Sequence, residues 1–396
     1  MKLKLRKIAY QLHLWLGLTS GLIVVIMAAT GCILAFEDEL KHIVYPNRYF
    51  VENIGRKKLS LSELTEKAEK ALPEGLKVKR VVMPSDPSRT YVFRTLKMND
   101  EAWTYWGTYL YYYRIYIDPY TGKVQEVEDA KKDFFEIVLD LHRRLLLGEK
   151  IGKTITGYST LVLAIILFSG LVIWYPRKMS KSMLKGMFFI KISANWKRIN
   201  YDAHNVLGFY AIIPLLLISY SALIWSFEDV DKWVKNTLNG NIPTEKKAKS
   251  AIPSEESSNR ENILNLIGNT VEKGLQDKKS AFINFPRSEE GTYYAELTYD
   301  GRQYRNEHFN FDQYSGEVLK SQSYKNKNIG YGTALRERNY DLHTGSILGL
   351  TTRIIYFLAA IIATSLPITG FIIYLNRKKK QPKHKKNKII FPSHHL

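Results

Sequence analysis

The chain has 396 residues, of which 45% are hydrophobic, and it carries a formal charge of +20. Its single cysteine, Cys32, excludes a disulfide framework and a cysteine-ligated iron–sulfur or zinc site. The basic excess fits nucleic acid, anionic lipid or a membrane protein with charged inner loops, and its distribution along the chain decides between these classes.

Four stretches of the chain are apolar enough to cross a bilayer, which takes about 20 residues. The first follows the basic start MKLKLRK, but it is longer than the apolar core of a signal peptide, about 7–15 residues. We therefore expect a retained span rather than a cleaved signal. The predicted spans are residues 14–36, 155–175, 206–227 and 348–375.

The two long regions between spans are each predicted to be a small α+β unit. The first has a serine-capped helix at 59–72, and the second has a helix at 261–275 after a polar linker. Alternating apolar residues predict strands at 76–83, 90–96 and 109–118, and at 281–285, 292–299 and 307–312. The aromatic run from Trp103 to Tyr113 is compatible with a ligand surface, with contact to the membrane interface, or with ordinary cross-strand packing.

The predicted organisation has eight segments. In chain order these are the N-terminus with the first span (1–36), an external domain (37–141), a histidine segment with the second span (142–175), a basic loop (176–203), the third span (204–227), a second external domain (228–342) with its linker at 241–260, a histidine segment with the fourth span (343–375) and a basic tail (376–396).

Nearly all of the excess charge lies on one predicted side of the membrane. This side has four, seven and eight Lys or Arg, and no Asp or Glu, in residues 1–7, 176–200 and 376–390 respectively. By contrast, the net charge is only +1 in residues 37–152 and −1 in residues 228–345. This is the positive-inside pattern, so both termini and the middle loop are predicted to be cytoplasmic and the two large regions extracytoplasmic. No folded region is basic, which argues against nucleic acid as a partner.

The chain contains an internal duplication. YQLHLWLG (10–17) matches YDAHNVLG (201–208), and DLHRRLLLG (140–148) matches DLHTGSILG (341–349). YIDPYTGKV (116–124) and SGLVIWYPRK (169–178) are likewise repeated, as NFDQYSGEV (310–318) and TGFIIYLNRK (369–378). The sequence therefore predicts two tandem halves, each made of a span, an external domain and a second span, that together form a four-helix bundle.

The duplication sorts four histidines into two pairs, one for each membrane face. His13 and His204 are equivalent at the cytoplasmic ends of spans, and His142 and His343 are equivalent on the outer side. Two imidazoles from facing helices are what bis-histidine haem ligation requires, and helix bundles commonly hold such groups. The alternative is that the four histidines only pack at the lipid interface.

Neighbouring residues extend each predicted site, and the inner set lies on the histidine face of the helix. A glycine follows each inner histidine by one helical turn, Gly17 and Gly208, and leaves room for a flat macrocycle. A tyrosine precedes each inner histidine by three residues, Tyr10 and Tyr201, and could pack against the macrocycle. On the outer side Asp140 and Asp341 could reach imidazole Nδ1 if a turn intervened.

The second span cannot continue straight from His142, because 35 residues of helix would be about 52 Å long against a bilayer core of about 30 Å. We expect a break near Gly148 and Gly152. This break would bring four cations near the outer histidine pair: Arg143, Arg144, Lys153 and Arg353. They could contact haem propionates or, equally, lipid headgroups.

The motifs HLWLG, DPYTGKV, DLHRRLLLG, HNVLG, DQYSGEV and LHTGSILG resemble those of the PepSY-associated transmembrane helix family of bacterial inner membranes, over nearly the whole chain. The resemblance implies an α+β membrane protein with PepSY-like extracytoplasmic domains. In the reductase members it also implies haem b held by span histidines, which correspond here to His13, His142, His204 and His343. The third span, with SYSALIW where the first has AATGCIL, departs from the family pattern of closing small residues.

The leading functional hypothesis is a transmembrane electron conduit with two bis-histidine haem b groups that reduces a periplasmic ferric complex such as a ferric siderophore. The middle loop is too short for a nucleotide or flavin domain and the chain has no dinucleotide or P-loop motif, so membrane quinol or a separate reductase is the expected donor. The alternatives are a non-enzymatic PepSY binding or regulatory protein anchored in the bilayer, and a transporter. Intramembrane charges are too few to favour the transporter.

Overall fold

The computed structural model describes residues 3–176, 180–240, 248–253, 259–300, 302–325 and 329–378. Most of the predicted linker at 241–260 and of the basic tail at 376–396 lies outside the described residues, as do residues 177–179 of the basic loop.

Fourteen α-helices are present in the regions of the chain that the structure describes. In chain order they are α1 (Leu3–Leu34), α2 (Glu37–Val44), α3 (Pro46–Tyr49), α4 (Leu61–Lys70), α5 (Tyr105–Thr108), α6 (Phe134–Arg144), α7 (Glu149–Trp174), α8 (Lys181–Phe188), α9 (Trp196–Ser226), α10 (Glu228–Asn239), α11 (Arg260–Gly274), α12 (Tyr331–Glu337), α13 (Asn339–Thr344) and α14 (Leu350–Lys378).

Four of these helices, α1, α7, α9 and α14, are long and apolar enough to cross a membrane, which confirms the four predicted spans. Each of α1 and α9 packs against both α7 and α14, so α1 and α9 lie diagonally across a four-helix bundle. Aliphatic and small side chains fill its centre, with Leu167, Ala211, Leu215, Ala359 and Ala363 buried together. The helices begin before the predicted spans or end after them, because polar and basic residues extend them beyond the apolar runs.

The two long regions between the spans form one antiparallel sheet of eight strands in the order β4-β3-β2-β1-β5-β6-β7-β8. The strands are β1 (Arg80–Pro84), β2 (Tyr91–Met98), β3 (Tyr109–Ile117), β4 (Val124–Asp129), β5 (Ser280–Asn284), β6 (Thr292–Thr298), β7 (Asn306–Asp312) and β8 (Val318–Ser323). The six predicted strands are present, and the polar edge strands β4 and β8 were not predicted.

The single sheet joins the two regions that are predicted to form one external domain in each half. Each half contributes four strands, and β1 of the first half pairs with β5 of the second, from Arg80 opposite Asn284 to Pro84 opposite Ser280. An unpaired strand edge exposes backbone N–H and C=O groups that favour pairing with another strand. Joining the halves at β1 and β5 satisfies these groups and merges the two long regions between the spans into a continuous layer.

One face of the sheet is apolar and is covered by α4 and α11. Phe93, Ile115, Ile283 and Leu297 of the strands are fully buried there against both helices. Helix α4 begins at the capping box of Ser60, whose side chain accepts from the Glu63 N–H while the Glu63 carboxylate accepts from the Ser60 N–H. The opposite face of the sheet carries polar and aromatic side chains and lies toward α6, since Arg114 of β3 on that face pairs with Glu136 of α6.

The predicted break before the second span is confirmed at Gly148. Helix α6 ends at Arg144, and Leu145 and Leu146 both have positive φ, 57° and 59°, before α7 begins at Glu149. Gly152 lies inside α7, where a Cβ atom would overlap the Arg144 carbonyl oxygen, so it allows close packing rather than a break. The turn places α6, with His142, beside α1.

Candidate functional site

The first histidine pair lies on the side of the bundle where α1 begins and α14 ends, here called the termini side. His13 of α1 and His204 of α9 face each other across the bundle with their ring centroids 6.1 Å apart and their planes crossed at 87°. The two helices that carry them are diagonal neighbours, so the pair spans the bundle interior.

The second histidine pair lies at the opposite end, the sheet side. His142 of α6 and His343 of α13 have ring centroids 6.1 Å apart and planes at 70°. His142 packs on α1 beside Thr30, which is 17 residues after His13, or about 25 Å along the helix. The two pairs are therefore separated by slightly less than the hydrocarbon thickness of a bilayer, about 30 Å.

Every one of the four imidazoles is held at Nδ1 by a hydroxyl from a neighbouring span. The contacts are His13 to Ser169 (3.2 Å), His142 to Thr30 (3.1 Å), His204 to Thr369 (2.9 Å) and His343 to Ser221 (3.0 Å). Two of the Nδ1 atoms also lie close to backbone carbonyl oxygens, His13 to Ile166 at 3.0 Å and His142 to Met27 at 2.8 Å. A carbonyl can only accept, so Nδ1 is the protonated nitrogen of these two rings.

The hydrogen bonds that the four hydroxyls donate assign the Nδ1-protonated tautomer to all four histidines. Each hydroxyl donates its single proton to a carbonyl of its own helix three or four residues earlier. Its oxygen can then only accept from the histidine, which makes Nδ1 the donor and leaves a lone pair on Nε2. This arrangement, with Nδ1–H bonded to a neighbour and Nε2 free, is that of metal-ligating histidines.

The spacing within each pair fits two ligands on one metal ion. Metal–imidazole bonds are about 2.0–2.1 Å long and a ring nitrogen lies about 1.2 Å from its centroid, so two coaxial ligands separate the centroids by about 6.4 Å. Both pairs, at 6.1 Å, are close to this value. Removal from bulk water lowers the pKa of both His142 and His343, which favours the neutral imidazole that a metal requires.

A cavity of about 770 Å³ surrounds the termini-side pair. This volume falls within the range of about 300–1,000 Å³ that is usual for cofactor and ligand sites. Gly17 faces open space in it, because a Cβ atom there would meet nothing within 4 Å. All six residues that the sequence predicted for this side line the cavity: His13, His204, Gly17, Gly208, Tyr10 and Tyr201.

Three further glycines, which sequence reasoning missed, make room for the rings themselves. A Cβ atom on Gly170 or Gly370 would lie 3.1 Å from Cε1 of His13 or His204, and one on Gly31 would lie 3.3 Å from Cε1 of His142. These separations are shorter than an ordinary carbon–carbon contact of about 3.5–4.0 Å.

The histidine-bonding hydroxyl residues and these glycines form a pattern that is visible in the sequence. In each span a hydroxyl residue is followed at once by a small one, as Thr30–Gly31, Ser169–Gly170, Ser221–Ala222 and Thr369–Gly370. The third span thus has a hydroxyl residue followed by a small one, as the first span does, although its SYSALIW segment departs from the family pattern of closing small residues.

The predicted cations of the sheet side have different surroundings. Arg144 is buried in ion pairs with Asp140 and Glu149, and Arg353 pairs with Glu39. Their guanidinium groups are therefore already neutralised by carboxylates. Arg143 is exposed and has no ion pair with any described residue, and its charge is near enough to lower the pKa of both sheet-side histidines.

At the mouth of the termini-side cavity the structure adds cations that the sequence analysis did not single out. Lys7 and Arg377 line the cavity, and Arg377 donates a hydrogen bond of 3.0 Å to the Tyr10 hydroxyl. Arg6 also lines it, but its guanidinium donates to the carbonyls of Ile173 and Tyr175 at the end of α7. Lys7 and Arg377 are thus the groups best placed to meet an anionic portion of a bound molecule.

The idea that Asp140 and Asp341 orient the outer histidines is wrong, because both carboxylates bond elsewhere. Asp140 pairs with Arg144, one helical turn away. Asp341 accepts from the backbone N–H groups of Gln303 and Tyr304. Two residues apart on a helix, these carboxylates point away from the histidines.

The described residues contain no group of three or more His, Cys, Asp or Glu side chains that could hold a metal ion. Each histidine pair offers two imidazole nitrogens to a metal. A tetrapyrrole, which carries the other ligands of its own metal, would fit such a pair, whereas a bare zinc ion would lack at least two of the four ligands it usually takes.

Comparison with protein families gives one match, to the family described as the PepSY-associated TM region, over residues 10–377. No curated protein matches the chain.

Proposed function

We propose that this chain, which belongs to the family defined by the PepSY-associated TM region, carries electrons across a bacterial inner membrane through two haem b groups. One would be held by His13 and His204 and the other by His142 and His343. When bound, haem supplies a reversible one-electron couple. The proposed activity is reduction of an extracytoplasmic ferric complex, such as a ferric siderophore.

The observation that carries the proposal is the shared state of the four histidines. In each pair both Nδ1–H groups are bonded to a hydroxyl, neither Nε2 has a hydrogen bond to a described residue, and the ring centroids are 6.1 Å apart. Interface packing would explain one histidine at a membrane surface. It gives no reason for four rings to be fixed at the same nitrogen by hydroxyls from neighbouring spans.

The surrounding residues support the fit to haem. The cavity at the termini side has the volume of a cofactor site, and Lys7 and Arg377, which line it, would pair with propionates there. Arg143 would serve the same purpose on the sheet side. Arg144 and Arg353 are less suited, since their charge is already balanced by carboxylates.

The distribution of charge supports the direction of transfer. Basic residues concentrate on the termini side, which we assign to the cytoplasm, and the sheet then lies in the periplasm as two PepSY-like domains fused through β1 and β5. Membrane quinol or a separate reductase is the proposed donor. The repeated order of elements in the two halves supports an origin by tandem duplication.

Absorption spectra of the purified protein and of single histidine variants test the haem assignment. We expect a six-coordinate low-spin b-type spectrum. The haem content should fall by about half in His204→Ala and in His343→Ala, and His42→Ala, a control outside both pairs, should keep the full content. A colourless protein from haem-replete cells would instead support the non-enzymatic anchored PepSY protein.

Ferric reduction is tested separately by mixing the dithionite-reduced protein, freed of excess reductant, with ferric siderophores. We expect reoxidation of the protein with formation of one iron(II) per electron released, trapped by a ferrous chelator. A protein that carries haem but stays reduced in the presence of every ferric complex would leave it an electron carrier with a different acceptor.

A further inference from the structure

Three arginines lie side by side across the polar face of the sheet. The strand registers place Arg114 of β3 opposite Arg94 of β2, and Arg94 opposite Arg80 of β1. Directly opposed residues of antiparallel strands project from the same face, with Cβ atoms about 4.5–5.5 Å apart, and like charges in such positions destabilise a sheet. An arrangement of this kind needs anions to balance it.

Carboxylates of the protein balance only the first of the three. Arg114 pairs with Glu128 and Glu136. Arg80 and Arg94 form no ion pair with any residue that the structure describes, and both side chains are partly exposed. The row therefore has two adjacent unneutralised cations at the centre of the sheet, where the two halves meet.

The Arg80 side chain is held in a defined orientation. Its Nε donates to Asn284 Oδ1 on the neighbouring strand, and its guanidinium lies 4.2 Å from the centroid of the Phe282 ring. Burial and the charge of Arg94 lower the pKa of Arg80 to about 10. Glu296, a carboxylate close enough to raise the pKa of Arg80, already accepts a hydrogen bond from the Tyr294 hydroxyl.

The face that carries Arg80 and Arg94 is directed toward α6, the helix that holds His142 of the sheet-side pair. Arg114 of the same row bonds Glu136 of α6, and Glu136 precedes His142 by six residues, about 9 Å along the helix. Neighbouring strands are about 4.8 Å apart, so Arg80 lies about 10 Å from Arg114 across the sheet. A ligand on the two free arginines would lie near the proposed exit of the electron path.

We propose that Arg80 and Arg94 form an anion site that binds an iron(III) complex whose ligand carries free carboxylates. Guanidinium groups bind carboxylates through two parallel hydrogen bonds, and two of them on adjacent strands suit a ligand with two or more carboxylates. The assignment of this ligand as the electron acceptor rests on the function proposed above. One electron would pass from the reduced protein to iron(III), giving iron(II) without a new covalent bond or a proton transfer.

Binding of ferric citrate to the purified full chain in detergent tests the site directly, since titration calorimetry needs no electron transfer. We expect the dissociation constant to rise about tenfold in Arg80→Gln and in Arg94→Gln, and further in the double variant. Lys97→Gln is the matched control, because it removes one positive charge from β2, the strand of Arg94, on the other face. Equal weakening in Lys97→Gln and Arg94→Gln, or no binding by the unaltered protein, would overturn the proposal.

Thermal stability separates a binding role from a structural one. Arg94 lies between two like charges, so Arg94→Gln should leave the melting temperature unchanged or raise it, and citrate should stabilise only the unaltered protein. A lower melting temperature in Arg94→Gln with no citrate effect in either protein would assign the arginines to the fold instead.

The haem readouts keep the two proposals apart. If the electron conduit is correct and the anion site is wrong, the double variant will keep its spectrum and will be reoxidised by ferric citrate at the rate of the unaltered protein. If the conduit is wrong and the anion site is correct, ferric citrate will bind in an arginine-dependent way to a protein without haem. A reoxidation slowed with ferric citrate, but unchanged with an uncharged ferric trihydroxamate, supports both.

Discussion

Ser221 accepts the Nδ1–H of His343, and its replacement by alanine tests the histidine geometry with little disturbance of packing. The hydroxyl lies 3.0 Å from Nδ1 and is fully buried. Alanine differs only by loss of the oxygen, so the main effect is that the Nδ1–H loses its acceptor.

The size of the effect follows from the bonds that remain. A buried donor without its partner costs about 1–3 kcal/mol. The Ile218 carbonyl, to which the Ser221 hydroxyl donates, lies near enough to the His343 ring to raise its pKa and can accept in place of the lost hydroxyl, so the lower end of this range applies, about 1–2 kcal/mol. This corresponds to a loss of about 5–30-fold in haem affinity at the sheet-side pair, since about 1.4 kcal/mol is tenfold.

Titration of haem into the apoprotein, followed by the Soret difference spectrum, measures this affinity. Ser219→Ala is the matched control, because Ser219 is equally buried in α9 and its hydroxyl has no hydrogen-bond partner among the described residues. We expect Ser221→Ala to weaken one of two binding steps and Ser219→Ala to change neither. Equal affinities in the two variants would refute the assignment of the Nδ1 tautomer.

Three further substitutions test separate features of the site. Gly370→Val should displace the His204 ring, because a Cβ atom already lies 3.1 Å from Cε1, and should reduce haem content from two to one per chain; two retained haems would contradict this. Asp140→Ala should leave Arg144 with only Glu149 as a carboxylate partner and should lower the free energy of unfolding, measured by denaturant titration, by about 3 kcal/mol. The low-spin spectrum should not change; an altered spectrum would show that Asp140 orients a histidine after all. Arg143→Gln should lower the midpoint potential of one haem in a spectroscopic redox titration, since a nearby positive charge favours the reduced form, and unchanged potentials would place Arg143 at the lipid surface.

The spans and the histidine pairs could be predicted because both follow from local patterns. Length and hydropathy determine the spans, and the repeated motifs indicate which histidines are equivalent. His13 and His204 are 191 residues apart, yet their equivalent positions near the starts of α1 and α9 bring them to one end of the bundle.

The partners of the histidines could not be predicted, because they depend on how the spans pack. Ser169 reaches His13 from another helix, 156 residues away, and a serine within an apolar run looks like any small span residue. The role of Arg144 was uncertain for a similar reason: its neutralisation by Asp140 and Glu149 depends on the turn at Leu145 and Leu146, where leucines adopt positive φ against their usual preference.

The single eight-stranded sheet could not be predicted from local patterns either. Strands β1 and β5 are each an ordinary alternating strand, and pairing between them joins residues about 200 positions apart. Neither segment has a sequence feature that distinguishes the edge strand of a separate domain from a strand that pairs with the other half. The row of arginines emerges only once this register is known.

The central claim is most directly tested by the haem content and electron paramagnetic resonance spectrum of the purified, oxidised full chain. We expect two b-type haems per chain, both low-spin, with strongly anisotropic signals because the paired imidazole planes are crossed at 87° and 70°. A protein without haem, or one whose haem is high-spin and unaffected by loss of His13, His142, His204 or His343, would contradict it.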